Sequence, residues 1–274
     1  MSKHITALIF IFICTTIGWT VLGKVTADRT SAQDRKLKAA VGELWGSKQT
    51  QHAPRLYLDT SLQYDPDSPD SGHDFVSVYS DNDKTPIPLD KTDINVNLNL
   101  EPRKKGLLWY ATYRVGFEGE YVVSNNGDEP ANYILDYQFP SRGGIYDNFK
   151  FVLDGKEGDS LGTTQGKIQR RFQLAPGESK TIEIAYNTQG MDEWWYRFGR
   201  DVAEMKDFKL TMKTYFDDID FPDKAISPTQ IEESGDGWKL IWEYDNLISS
   251  VQIGMVMPRK LNPGPYVSRV SFFA

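Results

Sequence analysis

The sequence predicts a mainly β protein, an antiparallel β-sandwich preceded by an N-terminal transmembrane helix and a short following helix. The run from Ile5 to Leu22 contains eighteen residues without a charge. From residue 93 onward, apolar and polar residues alternate with the period of two that is typical of half-buried strands. Short turns separate these stretches, and almost no helical pattern interrupts them.

The apolar run has two interpretations. At ~1.5 Å per residue it spans ~27 Å, close to the ~30 Å hydrocarbon core of a bilayer, and Trp19 lies near one end, where an interfacial aromatic is expected. The alternative is a cleaved signal peptide ending at the small-residue motif Val25-Thr26-Ala27. The run exceeds the usual length of a signal-peptide core, and Lys24 lies between it and that motif. A membrane anchor is therefore the favoured interpretation.

The orientation of this segment has arguments on both sides. Basic residues follow it at positions 24, 29, 35, 36 and 38, and only Lys3 precedes it. The positive-inside rule alone would place the body in the cytoplasm. The family resemblance given below implies the opposite side.

The stretch from Ala27 to Trp45 contains no proline and no glycine until Gly42. Apolar residues recur in it at roughly helical spacing, which predicts a helix that continues from the membrane segment or kinks after it. Gly46 is expected to end this helix. Both a solvated stalk and a docked helix fit the pattern, whose members are Ala32, Leu37, Ala40, Val41, Leu44 and Trp45.

The region from Gln51 to Thr92 is rich in acidic residues, proline and turn-forming residues. Its densest run, Asp65 to Asp74, resembles a calcium loop in acid content. Two prolines break the ligand spacing of such a loop, and no glutamate closes it. A solvated acidic loop is therefore the favoured interpretation, and His73 alone does not make a transition-metal site.

About ten strands are predicted between Asp93 and Met257. Ile94, Val96 and Leu98 alternate with asparagines, and Asn126-Gly127 and Pro176-Gly177 are turn signals. Further alternating stretches begin near residues 107, 133, 168, 182, 208 and 238, and the last strand is predicted at 251–257.

Composition excludes some classes of function. A net charge of −7 and a pI near 5.1 argue against nucleic-acid binding. The single cysteine, Cys14, lies in the apolar run, so the body has no disulfide, no thiolate metal site and no cysteine nucleophile. The sequence contains no phosphate-binding, dinucleotide-binding, zinc-protease or nucleophile-elbow motif. We therefore expect no cofactor, no metal site and no catalytic residue.

Four stretches together resemble the CreD family of bacterial inner-membrane proteins. The membrane segment leads into a helix that ends in Trp-Gly, followed by glutamine and then a proline. A basic residue, a glycine and two aromatic-bounded strands follow, and later a Phe-Pro pair and a DG turn. The matching positions are Trp45-Gly46, Gln49 or Gln51, Ala53-Pro54, Arg103 to Val123, Phe139-Pro140, Tyr146-Asp147 and Asp154-Gly155.

This resemblance covers the first half of the chain. It implies an extracytoplasmic body between a first membrane helix and later ones, in a family linked to envelope integrity and to responses under a two-component regulator. The stretches Asp192 to Gly199 and Met257 to Pro265 do not match the family pattern. Since the family has no established biochemical activity, no functional residue is carried over.

The aromatic run Trp194, Trp195, Tyr196 and Arg197 is the candidate ligand-binding site. An exposed aromatic row beside an arginine could stack on sugar rings or hold a cation. On a strand, Trp194 and Tyr196 share one face, so plain core packing is the competing and favoured interpretation. Buried rings would favour core packing, and an exposed row would favour carbohydrate.

Two functions therefore remain open. One is a membrane-anchored extracytoplasmic protein with an interaction, sensing or envelope-integrity role, which contacts the bilayer through Ile5 to Leu22 and has envelope proteins as partners. The alternative is an envelope carbohydrate-binding or glycoside-hydrolysing module that uses Trp194 to Tyr196. The predicted organisation is an anchor at 1–24, a juxtamembrane helix at 25–47, an acidic connector at 48–92, the sandwich at 93–258 and the start of a further membrane segment at 259–274.

Overall fold

The computed structural model describes residues 2–59, 86–106, 108–141, 143–157, 163–164, 166–199 and 203–260. It is mainly β, with 54% of residues in strands, and it has one long N-terminal helix, as the sequence predicts. In chain order the elements are α1 (Ser2–Trp45), β1 (Gln49–His52), β2 (Arg55–Leu58), β3 (Lys91–Leu100), β4 (Arg103–Lys105), β5 (Leu108–Tyr110), β6 (Thr112–Ser124), β7 (Ala131–Gln138), β8 (Asp147–Leu153), β9 (Lys156–Glu157), β10 (Thr163–Thr164), β11 (Lys167–Leu174), β12 (Ser179–Met191), β13 (Glu193–Arg197), β14 (Ala203–Thr214), β15 (Gln230–Ser234), β16 (Gly237–Ser249) and β17 (Ile253–Val256).

Eight strands form the large sheet, in the order β15-β16-β14-β3-β6-β12-β8-β9. Two smaller sheets, β10-β11-β7-β2 and β1-β13-β17, supply the facing side chains of the core, and β4 and β5 form a separate hairpin. The pairings are antiparallel except β1 with β13 and β3 with β14, which are parallel. The predicted antiparallel sandwich therefore contains two parallel pairs.

The core forms where the period-two pattern predicts it. Ile94, Val96 and Leu98 on β3 are at most 1% exposed, and the residues between them face outward. Their neighbours on β6 and β12 continue the same apolar layer, and Trp194 and Tyr196 on β13 close it from the opposite side. Each large apolar side chain buried here stabilises the fold by ~1.5–3 kcal/mol, so this layer is the main source of stability.

The apolar run and the following helix form one continuous helix of 44 residues. Leu37, Val41 and Trp45, spaced four residues apart, pack against the sandwich. Leu44 is 65% exposed, so it lies outside the contact stripe. The helix is thus solvated over residues 24–33 and docked at its C-terminal end, which combines the two behaviours that the sequence allowed.

Two short strands lie within the predicted loop-rich connector. β1 pairs with β13, and β2 pairs with β7. The calcium-like run Asp65 to Asp74, which includes His73, lies outside the described residues, as does the predicted start of a further membrane segment from residue 261 onward.

Candidate functional site

The predicted ligand-binding run forms β13, the middle strand of the three-stranded sheet. Trp194 and Tyr196 are 0% exposed and belong to the core. Trp195 is half-buried on the other face, where its indole N–H donates to Glu193 Oε2 at 2.7 Å. Arg197 is exposed at the end of the strand. The rings therefore do not form an exposed row. The burial of Trp194 and Tyr196 favours core packing over carbohydrate binding.

The residues around β13 instead form a junction between α1 and the sandwich. Its apolar part consists of Val41 from the helix, Leu108 and Tyr110 from the β4–β5 hairpin, and Met191 at the end of β12, all buried. Leu37 and Trp45 pack around this cluster. We call this set, together with the charged residues described next, the helix–sandwich junction.

Asp192 is the centre of the charged part of the junction. Its carboxylate pairs with Lys38 of α1 at 2.7 Å and with Arg259, beyond β17, at 3.3 Å. Its backbone N–H donates to the carbonyl of Ala111 at 2.9 Å, and its carbonyl accepts from the N–H of Met257 at 2.8 Å. Its φ of 70° lies in the left-handed region, which aspartate adopts more readily than most residues. One residue therefore joins the helix, the β12–β13 corner and the chain after β17.

The hairpin makes further polar contacts with the helix. The Tyr110 hydroxyl donates to Asp34 at 3.3 Å, and Lys105 donates to the carbonyl of Ala40 at 3.4 Å. The Arg103 guanidinium lies 3.8 Å from the centre of the Trp45 ring, a cation–π contact. Burial, and then the negative charge of Asp34, raise the pKa of Tyr110 to about 12, so this hydroxyl stays a donor at neutral pH.

Glu193 adds an ionic contact on the other side of the corner. Its carboxylate lies 2.5 Å from Lys48 Nζ, and that ammonium is 4.9 Å from the Trp195 ring. Partial burial acts to raise the pKa of Glu193, but hydrogen bonds from Lys48 and Trp195, with the positive charges of Lys48 and Arg259, outweigh it. The net effect lowers the pKa of Glu193 below 4.5, so the pair is ionised at neutral pH.

Behind the junction, β1 inserts two fully buried glutamines into the core. Gln51 Oε1 accepts hydrogen bonds from the Tyr137 hydroxyl at 2.9 Å and the Tyr186 hydroxyl at 2.7 Å. Gln49 Nε2 donates to the carbonyls of Ser47 and Gln189, each at 3.0 Å. Burial raises the pKa of both tyrosines well above the usual 10. Neutral phenols suit a structural network that ties the chain after α1 to both layers.

Sequence analysis missed Asp192, Gln49 and Gln51. The alternation of Gln49 and Gln51 about Thr50 was a weak strand signal, hidden by the polarity of the two side chains. Asp192 carried no signal, because its partners are about 67 residues or more away in the chain. Among the described residues, no group of histidine, cysteine, aspartate and glutamate has an arrangement that could hold a metal ion.

One described helix, His4–Trp45, is long and apolar enough to cross a membrane, with a mean hydropathy of 2.2 in its most apolar window and none of that window buried. An apolar helix near the N-terminus is either a membrane anchor or a signal sequence. Its exposure shows that it is not a core helix of the sandwich.

No family model and no curated protein matches the sequence. The resemblance to the CreD family therefore stays a prediction. Among solved structures, the chain is similar to a Legionella pneumophila protein provisionally described as a nutrient binding protein. The identity is 8%, the match covers 76% of this chain and 70% of that chain, and the TM-score is 0.47. A likeness this weak carries no argument about fold or ligand.

Proposed function

We propose that this chain is a membrane-anchored protein of the bacterial inner membrane whose β-sandwich lies outside the cytoplasm. The sandwich acts by contact, in an interaction, sensing or envelope-integrity role, and not by catalysis. The observation that supports this most is α1 itself. Its apolar half is exposed along its whole length, with Leu8 at 67% and Phe12 at 73% exposure, and its last three turns are docked on the sandwich.

The contact between the C-terminal end of α1 and the sandwich supports a role in sensing or tethering. Because Leu37, Val41 and Trp45 pack against the sandwich and Lys38 pairs with Asp192, a force on the sandwich is passed to the helix rather than absorbed by a flexible linker. Such a connection suits a sensing or tethering role.

Membrane extraction and N-terminal sequencing test the anchor. We expect the full chain to sediment with membranes after carbonate and high-salt washing, with its N-terminus intact before Lys24. A mature protein that begins near Asp28 and appears in the soluble fraction would contradict the proposal and identify a signal peptide.

A reporter fusion tests the side of the membrane. Arg259 lies beside α1 through Asp192, so a fusion after this residue reports the compartment of the sandwich. We expect activity of an alkaline phosphatase reporter, which requires export, and none of a cytoplasmic reporter. The reverse result would place the sandwich in the cytoplasm, as the basic residues after the membrane segment suggest.

A further inference from the structure

The part of α1 between the apolar run and the junction has an unpaired basic face. Lys24, Arg29, Arg35 and Lys36 are all exposed. None of them forms an ion pair with a residue that the structure describes. We call residues 24–36 the stalk.

Two charged groups near the C-terminal end of the stalk do have partners. Asp34 accepts a hydrogen bond from Tyr110, and Lys38 pairs with Asp192. On the large sheet, lysines pair across strands, as in Lys150–Glu183, Lys209–Glu243 and Lys239–Glu232. The sandwich therefore holds Asp34 through a neutral hydroxyl and contributes no carboxylate to the stalk bases. The other acidic residue of the stalk, Asp28, is exposed on the same face and forms no ion pair with a described residue, so the face carries four bases and one acid.

Helix geometry places these bases together and near the bilayer. At ~100° per residue, the four side chains cover an arc of about 140° on the side of α1 turned away from Leu37 and Val41. At ~1.5 Å per residue, they lie about 3 to 21 Å beyond Leu22. The headgroup layer takes up the first ~5–7 Å of that distance. Arg35 and Lys36, the bases farthest from Leu22, then lie within about two Debye lengths of the headgroups, with a Debye length of ~8 Å. The reach of their side chains is not included in this distance.

We propose that the stalk binds the anionic phospholipid headgroups of the bilayer that α1 spans, and that this contact sets the height and tilt of the sandwich above the membrane. A cluster of basic residues directly beside a transmembrane helix is the chemistry that recognises anionic lipid. The inference deepens the proposed function and depends on it, because a cleaved chain would have no such contact.

Spin-labelled lipids and the full chain test this proposal. The protein is reconstituted in phosphatidylcholine bilayers, and electron paramagnetic resonance measures its association with labelled phosphatidylglycerol relative to labelled phosphatidylcholine. One base fully engaged near the surface is worth about a fivefold preference. We expect the wild-type chain to prefer phosphatidylglycerol by at least about fivefold, and about 0.5 M salt to remove most of that preference.

A matched pair of variants separates stalk chemistry from net charge. The stalk variant is K24Q/R29Q/R35Q/K36Q, in which glutamine keeps helix propensity. The control, K156Q/R197Q/K206Q/K213Q, removes four exposed bases of the sandwich that also lack ion pairs with described residues. We expect the preference to fall to near unity in the stalk variant and to persist in the control.

Three results would overturn the inference. They are equal association of the two lipids with the wild-type chain, equal loss in both variants, and an unchanged preference in the stalk variant. Each is obtained on protein shown to be inserted by resistance to carbonate, so the anchor would still stand. A chain that fails to insert because it begins near residue 28 refutes the proposed function, and the lipid inference with it.

Discussion

The two ends of α1 are parts of one helix with opposite surroundings. At its N-terminal end, large apolar side chains are at least half exposed, as with Ile13 at 50% and Phe12 at 73%. At its C-terminal end, Val41 is 2% exposed, and ionic contacts through Lys38 hold the helix to the sandwich. The basic residues of the stalk between them have no ion-pair partner among the described residues.

This difference fits the proposed anchor, in which the two ends of one helix depend on different surroundings. The N-terminal end needs an apolar medium, because leaving so many large side chains in water is unfavourable. The C-terminal end needs the sandwich, because only three residues form its apolar stripe. An isolated helix of so few turns is marginal in water. Damage to one end should therefore leave the other in place.

The largest difference between the two ends of α1 should come from a substitution in the core of the sandwich, next to the docked end. Trp194→Ala removes a fully buried indole, and we expect it to lower the free energy of unfolding by ~3–5 kcal/mol. Because the proposed anchor at the other end does not depend on the sandwich, the variant should stay in the membrane fraction. Thermal unfolding of the detergent-solubilised full chain, with carbonate extraction, measures both.

The neighbouring tryptophan is the matched control. Trp195 is half-buried and contacts Glu193 and Lys48 at the surface, so Trp195→Ala should cost about 1 kcal/mol. Equal losses in the two variants would contradict the core assignment of Trp194.

A charge in the apolar end should give the converse result. Ile13 lies near the centre of the apolar run, where an arginine costs ~2.5–3.5 kcal/mol for insertion. Ile13→Arg should lower the membrane-bound fraction without changing the unfolding temperature of the sandwich, and Ile13→Leu should change neither. A lower unfolding temperature in the arginine variant would show that the apolar end also supports the sandwich.

The same comparison explains how much the sequence could predict. The apolar end and the alternating strands were predictable because their signals are local, as with Ile94, Val96 and Leu98. The parallel pairs β1–β13 and β3–β14 were not, because they join segments more than 100 residues apart. The burial of Gln51 was hidden for the same reason, since its side-chain oxygen accepts hydrogen bonds from Tyr137 and Tyr186 on distant strands. Of the candidate site, the sequence could predict only that Trp194 and Tyr196 are core residues, since strand periodicity puts them on one face.

Weakening the helix–sandwich junction should have a smaller effect than Trp194→Ala or Ile13→Arg. Asp192→Asn keeps the shape of the side chain and removes its charge, which faces Lys38 and Arg259. Those partners are 40% and 63% exposed, so solvent screening limits the loss to about 1 kcal/mol. Hydrogen exchange should speed up in the last turns of α1 and stay unchanged in the central strands.

Glu120→Gln is the control for Asp192→Asn. It removes a 3.7 Å pair with Lys91 between exposed side chains of the large sheet. We expect no change in exchange along α1 in this variant. Faster exchange there would show that general charge loss, and not the contact at Asp192, loosens the docked end.

The smallest expected effect is the pH dependence of the stability that Glu193 contributes at the β12–β13 corner, beside the docked end. The pKa of Glu193 is lowered in the folded chain, so the unfolded state binds more protons below its ordinary pKa of 4.5. The contribution of Glu193 to stability is therefore present above that value and is lost as the pH falls through the lower, folded pKa. In a comparison of unfolding temperatures at neutral pH and across this acidic range, Glu193→Gln should lose less stability on acidification than the wild-type chain. A parallel decline in the two proteins would mean that other carboxylates account for the acid sensitivity and that the Lys48 and Trp195 contacts add nothing measurable.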